Sequence, residues 1–332
     1  MGLHSTTANT VWQMRTFVEQ VGHYFDRPSV GVPTAPVGGP AAWTANDVGG
    51  RDVWRLPLSS PALDELESHV HAVEQFSMQP VDAAQFPALA EQVEGWRHDL
   101  VDGRGFVVVS GFPVDRWSDA QRETACWIVG CLLGEPGGQN ADGDLLGHVI
   151  DLAADNHENE RLYRTNKNIG FHCDAADVVG LLTVSTAPTG GDSRVVSSVS
   201  VHDRMVVECP ELAARLFQPT MLDSRRPPGS PTRYSEVVPS AFDGQRLRTF
   251  MHLEYFRSVE RFDDIELDDV TRRALDTWES IAEEPGMHVA MRLEVGDLQL
   301  VNNHTIVHAR TGYVDDPDNP RHLLRLWLSL GG

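Results

Sequence analysis

A chain of 332 residues with 41% hydrophobic content is long enough to bury a sizeable core, as one large domain or one domain with an appendage. Its 48 acidic against 27 basic residues give a formal charge of −21, a surface that repels phosphate backbones and anionic lipid and so disfavours nucleic-acid and membrane partners. With no apolar run of about 18 residues and no charged, apolar and small-residue leader, the sequence reads as a soluble, cytoplasmic protein that acts on a small molecule, and it does not fix an oligomeric state. The opening Met1-Gly2 to Thr6 fits a loose N-myristoylation pattern. Cys126, Cys131, Cys173 and Cys209 have no C-x-x-C spacing, which fits a reducing compartment and argues against a zinc ribbon.

In chain order, residues 8 to 25 have helical spacing, and a Pro/Gly/Ala-rich linker follows from 28 to 50. A short strand is predicted over 52–58, then amphipathic helices over 61–77 and 82–101. Residues 103–114 read as a buried strand, and 118–134 as a helix ended by Gly134 and Pro136. The polar, Gly/Asp/Asn-rich insert 135–165 reads as a long loop of the kind that covers or lines a site. Strands over 178–186 and 193–201, a helix over 202–217, an Arg/Pro-rich loop over 222–236 and a strand-like run over 247–257 come next. A helix over 267–284 precedes the strands of the C-terminal stretch. Many short strands with helical inserts suggest a mainly β fold, a distorted jelly roll or double-stranded β-helix of the cupin-like kind with flanking helices.

The chemistry sits in the last of these strands and in one short upstream segment. From Arg321 to Leu330 the even positions are His322, Leu324, Leu326, Leu328 and Leu330, and the odd ones carry Arg321 and Arg325. One face is therefore oily, and the other places two guanidiniums within about 13 Å, suited to an anion. Upstream, His172 and Asp174 form an i, i+2 pair that shares one side of an extended segment, where imidazole and carboxylate can bind one metal. A second such pair, His252 and Glu254, competes with it, and both His304 and His308 lie where a third ligand is needed. Two histidines and a carboxylate leave coordination positions open for chemistry, as in non-haem Fe(II) oxygenases.

The order H-x-D, then G-G-D-S at Gly190 to Ser193, then G-D-x-x-x-x-N-N-x-x-x-x-H-A-R from Gly296, then R-H-L-L-R-L-W-L from Arg321 resembles the TauD/TfdA-type (taurine dioxygenase and clavaminate synthase-like) Fe(II)/2-oxoglutarate oxygenases over roughly residues 100 to 332. The resemblance implies that His172, Asp174 and His308 are the iron ligands, because their order and the spacing from Gly296 match the family. It implies that Arg321 pairs with the distal carboxylate of 2-oxoglutarate, that Arg325 and Asn168 face the substrate, and that O2 is the oxidant. Val196 stands where some relatives carry a threonine that bonds the cosubstrate, so Ser197 or Ser198 is the expected replacement. Arg310 is expected beside a carboxylate such as Asp174. Because Asp174 is present where halogenases of this fold carry a small residue, the expected reaction is hydroxylation, desaturation or cyclisation of an amino-acid-derived or natural-product substrate bearing a carboxylate or another anion. The expected organisation is a helical and linker region over 1–100 packed on an oxygenase domain over 101–332. Two other readings use the same residues: a zinc hydrolase or isomerase, and a non-catalytic sensor of a small anion.

Overall fold

The computed structural model describes residues 14–151, 165–225 and 232–331. The myristoylation pattern, the start of the predicted first helix, part of the 135–165 insert and the tip of the 222–236 loop lie outside the described residues. Helix α1 (Phe17–Phe25) begins where Thr16 and Glu19 cap each other, satisfying backbone donors that the first turn leaves open. The predicted strand over 52–58 divides into α2 (Arg51–Trp54) and β1 (Arg55–Pro57), with Trp54 buried in the core. Helices α3 (Ser60–Val70) and α4 (Pro87–Val101), strand β2 (Phe106–Ser110) and helix α5 (Asp119–Leu133) follow the predicted order.

The 135–165 insert is not all loop. It supplies β3 (Glu135–Pro136) and β4 (Leu146–Ile150), whose Gly/Asp-rich flanks hide the short apolar segment. Then come β5 (Ile169–His172), β6 (Val178–Ser185), β7 (Thr189–Gly190) and β8 (Ser193–Ser197). The strand predicted to run to 201 stops early because the Ser197 hydroxyl accepts from Ser200 N and caps α6 (Ser198–Glu208). Pro210 opens α7 (Pro210–Arg215) and splits the predicted single helix, since an interior proline cannot keep the helical hydrogen bond.

The 222–236 loop is framed by an antiparallel pair, β9 (Thr220–Asp223) and β10 (Tyr234–Val237). After β11 (Ser240–Phe242) and β12 (Leu247–Thr249), the run that reads as strand becomes α8 (Leu253–Ser258), burying Leu253 and Phe256 at helical spacing. Helix α9 (Asp269–Glu283) and strands β13 (His288–Met291), β14 (Leu298–Asn302), β15 (Ile306–Arg310), β16 (Tyr313–Val314) and β17 (His322–Ser329) complete the chain.

Two sheets carry the site. A seven-stranded sheet runs β1-β2-β14-β6-β17-β3 with β4 also on β17, and a four-stranded sheet runs β13-β8-β15-β5. Strand alternation sorts β17: Leu324, Leu326 and Leu328 pack under α3, α4 and α5, while Leu323 and Trp327 join Val195, Ile306 and Met291 between the sheets. Each buried leucine contributes about 1.5–3 kcal/mol, so a one-residue slip that turned the arginines outward and the leucines inward is disfavoured. On the far side of the smaller sheet, Val196, Val307 and Phe171 pack with residues of α6, α7, α8 and α9. The structure is thus mostly β with helices on both outer faces. No described helix is long and apolar enough to cross a membrane.

Candidate active site

Neighbouring strands β5 and β15 are antiparallel and place His172 directly opposite His308, with ring centroids 4.3 Å apart. Asp174 lies just beyond β5, and donor atoms of His172, Asp174 and His308 all come within 4.8 Å of one another. Among the described residues no other group of metal-ligating side chains converges this way. His172 uses Nδ1 on the Gly170 carbonyl at 3.0 Å, which leaves Nε2 for a ligand. His308 Nδ1 is buried without a partner. A neutral imidazole pair, a carboxylate and an orphaned buried nitrogen fit a divalent iron ion.

Electrostatics favour the same protonation states. Burial, followed by the charge of His172, pushes His308 down to about 3, and burial also lowers His172. Burial alone raises Asp174, but Arg325, His308 and His172 outweigh it and hold the carboxyl below its ordinary range. His252, His304 and His322 are lowered too, each chiefly by burial. A group whose folded pKa is depressed contributes stability above its unfolded value and loses it as pH falls. Thermal stability of the metal-free protein is therefore expected to decline as pH drops below about 6.5, the ordinary histidine value. A melting temperature constant from pH 8 to pH 5 contradicts this.

Two further arginines form a second centre. Arg321 and Arg310 both pack on the Tyr313 ring, at 5.2 and 4.8 Å. Both are buried, and Nη1 of each has no hydrogen-bond partner. Neither has a carboxylate within ion-pair distance among the described residues; burial and the charge of Arg321 pull Arg310 down to about 10. Asp315 and Asp151 act on them only from beyond ion-pair distance, and two buried cations around one ring with no direct ion pair among the described residues suit an anion. Gly190 and Gly191 make the turn beside them at φ 73° and 75°. A Cβ at Gly190 would meet the Gly312 carbonyl at 2.2 Å, and one at Gly191 would press on Arg321 Nε at 3.0 Å.

Arg325 stands beside the metal-ligating group, with Nη1 3.8 Å from Asp174 and its guanidinium over Trp327 at 5.4 Å. Gln139 fixes it from both ends. The side-chain amide donates to the Arg325 carbonyl at 2.8 Å and to the Leu145 carbonyl at 3.0 Å, while its oxygen accepts from Arg325 Nε at 2.8 Å.

Several expectations move. Arg310 donates to the Thr165 and Lys167 carbonyls rather than to Asp174, whose neighbouring cation is Arg325. The Ser197 hydroxyl donates to the Ala41 carbonyl at 2.5 Å and caps α6, so it is committed away from a cosubstrate. Ser198 is wholly buried in the first turn of α6. Val196 belongs to the helix-facing side of β8, whereas Ser193, opposite Arg310, bonds Gln299 at 3.0 Å. His304 is bound to Asp177 at 2.8 Å and stacks on Tyr24. Glu254 is exposed and paired with Arg225 at 2.9 Å, so the competing pair is not assembled. His252 nevertheless lies against His172, with ring centroids 5.3 Å apart, and lines a cavity of about 410 Å³ with Ile169, Phe171 and Ser258. Asn168 is exposed just before β5. Gln139 and Tyr313 went unnoticed in the sequence, because neither falls in a motif and each matters only through the arginine it holds.

A sequence profile described as "Taurine catabolism dioxygenase TauD, TfdA family" matches residues 63–327. The chain is 31% identical over 307 residues, 89% of its length and 91% of the relative's, to FR-33289 synthase of Streptomyces rubellomurinus. It is 26% identical over 246 residues, 68% of its length and 86% of the relative's, to a uridine-5'-phosphate dioxygenase of a Streptomyces species. Among solved structures, asparagine oxygenase in complex with Fe(II), 2S,3S-3-hydroxyasparagine and succinate superposes with a TM-score of 0.67 at 19% identity, covering 83% of this chain and 93% of that one. That likeness shows the fold.

Proposed function

From the premise that this chain belongs to the taurine catabolism dioxygenase TauD, TfdA family and is an Fe(II)- and 2-oxoglutarate-dependent oxygenase, we propose that it hydroxylates an unactivated C–H bond of a small anionic substrate of amino-acid or natural-product metabolism. In this reading the two sheets form the distorted jelly roll of the fold, residues 1–100 pack against it as a cover, and the protein works in the cytoplasm. His172, Asp174 and His308 hold the iron, which with 2-oxoglutarate and O2 supplies the oxidation and releases succinate and CO2. Arg321, helped by Arg310, takes the distal carboxylate of 2-oxoglutarate. The observation that carries this assignment is the pair of buried guanidiniums on Tyr313, which have no carboxylate within ion-pair distance among the described residues and an unpartnered Nη1 each.

Arg325, held by Gln139, takes the anionic group of the substrate, and Asn168, exposed just before β5, is a second substrate contact. An anion at Arg325 stands next to Asp174, so the adjoining carbons lie close to the metal-ligating group, where oxidation is directed by position. The names of the relatives support an anionic head: uridine-5'-phosphate carries a phosphate, and the 3-hydroxyasparagine of the superposed structure a carboxylate.

The test is an assay with Fe(II), ascorbate, O2 and 2-oxoglutarate against a panel of amino acids, nucleotides and natural-product acids. Substrate-dependent succinate release matched by product one oxygen heavier supports the reading. A hydrolysed product that forms without O2 or 2-oxoglutarate rules it out. In the same assay Gln139→Leu is expected to raise the substrate concentration for half-maximal succinate release about tenfold, with turnover at saturation little changed, since it removes a hydrogen bond to a charged group that orients without reacting. An unchanged half-saturation value removes Gln139 from substrate recognition.

A further inference from the structure

The segment that carries Asp174 is not held by the two strands on either side of it alone. We propose that Asn303 and Tyr24 are positioning residues for Asp174, so that helix α1, which precedes the family-matched residues 63–327, is part of the metal centre. This rests on the reading of Asp174 as an iron ligand.

Asn303 is wholly buried in the turn between β14 and β15. Its side-chain oxygen accepts from Asp174 N at 3.3 Å, its amide donates to the Ala176 carbonyl at 2.9 Å, and its backbone N–H donates to the Asp177 carbonyl at 2.9 Å. One residue therefore grips the ligand-bearing loop at three points. Tyr24, also wholly buried, holds that residue in turn. Its hydroxyl is directed at the Asn303 carbonyl at 3.0 Å and the Thr249 carbonyl at 3.1 Å, and its ring stacks on His304 at 4.6 Å. The neighbouring His23 bonds Asp177 at 3.0 Å, on the carboxylate that also takes His304 at 2.8 Å and Leu330 N at 2.8 Å.

Beyond β5, Asp174 lacks ladder hydrogen bonds, so besides Arg325 at 3.8 Å from its carboxylate and the Ala176 N–H on its carbonyl at 2.9 Å, these contacts are what direct it. Partners that orient a carboxylate ligand govern affinity as well as geometry. Thr16, which caps α1 at its far end, supplies a control that weakens the helix without touching Asn303.

The experiment compares wild type, Asp174→Ala, Asn303→Ala, Tyr24→Phe and Thr16→Ala by anaerobic Fe(II) titration, by the visible spectrum of the Co(II)-substituted protein, and by thermal melting. Asn303→Ala is expected to raise the Fe(II) Kd about tenfold and to alter the Co(II) bands. Tyr24→Phe, which keeps the ring stack, is expected to do the same to a smaller extent. Thr16→Ala is expected to lower the melting temperature alone. If Asn303→Ala does not fold, Tyr24→Phe decides. Lower melting temperatures with unchanged Kd and Co(II) spectra overturn the proposal while Asp174→Ala still loses iron. Iron binding as tight as wild type in Asp174→Ala overturns the ligand reading itself.

Discussion

Replacing His308 with alanine is expected to leave a folded protein that no longer retains iron. The imidazole faces His172 across the β5–β15 pair, and burial pushes it down to about 3, which keeps it a neutral donor. Removing it leaves one histidine and one carboxylate, too few for a stable site, so iron affinity is expected to fall by more than about a hundredfold, beyond what loss of an outer partner costs. Succinate release is expected to vanish with it. The fold should survive, because His308 Nδ1 has no hydrogen bond to lose in the metal-free chain, and deleting an unsatisfied buried group is cheap. Iron content after desalting, with circular dichroism as the control, checks both halves. A His308→Ala protein that keeps one iron per chain places the metal elsewhere.

The second large effect is expected at Arg321. Its guanidinium and that of Arg310 share Tyr313 with no carboxylate at ion-pair distance among the described residues; Asp315 bonds only the Arg321 backbone N–H, at 2.7 Å. A distal carboxylate bound there is one partner of a buried, charge-assisted pair, whose truncation costs about 2–5 kcal/mol. Arg321→Ala should therefore raise the 2-oxoglutarate concentration for half-saturation by at least about 30-fold while iron affinity stays as it was. Arg321→Lys keeps the charge but not the planar fork and is expected to fall between the two. Unchanged 2-oxoglutarate binding in Arg321→Ala would falsify the anion assignment and return Arg321 to a structural role.

Much of this was legible because strand periodicity and site chemistry coincide. The alternation in β17 separates Leu324, Leu326 and Leu328 from Arg321 and Arg325 whichever neighbours the strand acquires. The i, i+2 relation of His172 and Asp174 likewise survives the end of β5, since an extended segment continues to share a face over two residues. Contacts between distant segments were not legible. Arg310 sits two residues after His308, yet its partners are the Thr165 and Lys167 carbonyls and the Tyr313 ring, chosen by how the 165–168 segment folds back. Ser197 shows the opposite failure: a hydroxyl near the expected position is consumed by helix capping, a local competition that a spacing argument does not weigh. The run around His252 looked like a strand because its apolar residues are dense; Leu253 and Phe256 both turn inward only on a helix.

The central claim, that His172, Asp174 and His308 bring iron and 2-oxoglutarate together, is tested most directly by anaerobic absorption titration of the metal-free protein with Fe(II) and then 2-oxoglutarate. The expected result is a weak visible charge-transfer band that requires both additions, is absent in His308→Ala, and needs far more 2-oxoglutarate in Arg321→Ala. A wild-type protein that shows no band, and instead binds zinc tightly and works without 2-oxoglutarate, contradicts it.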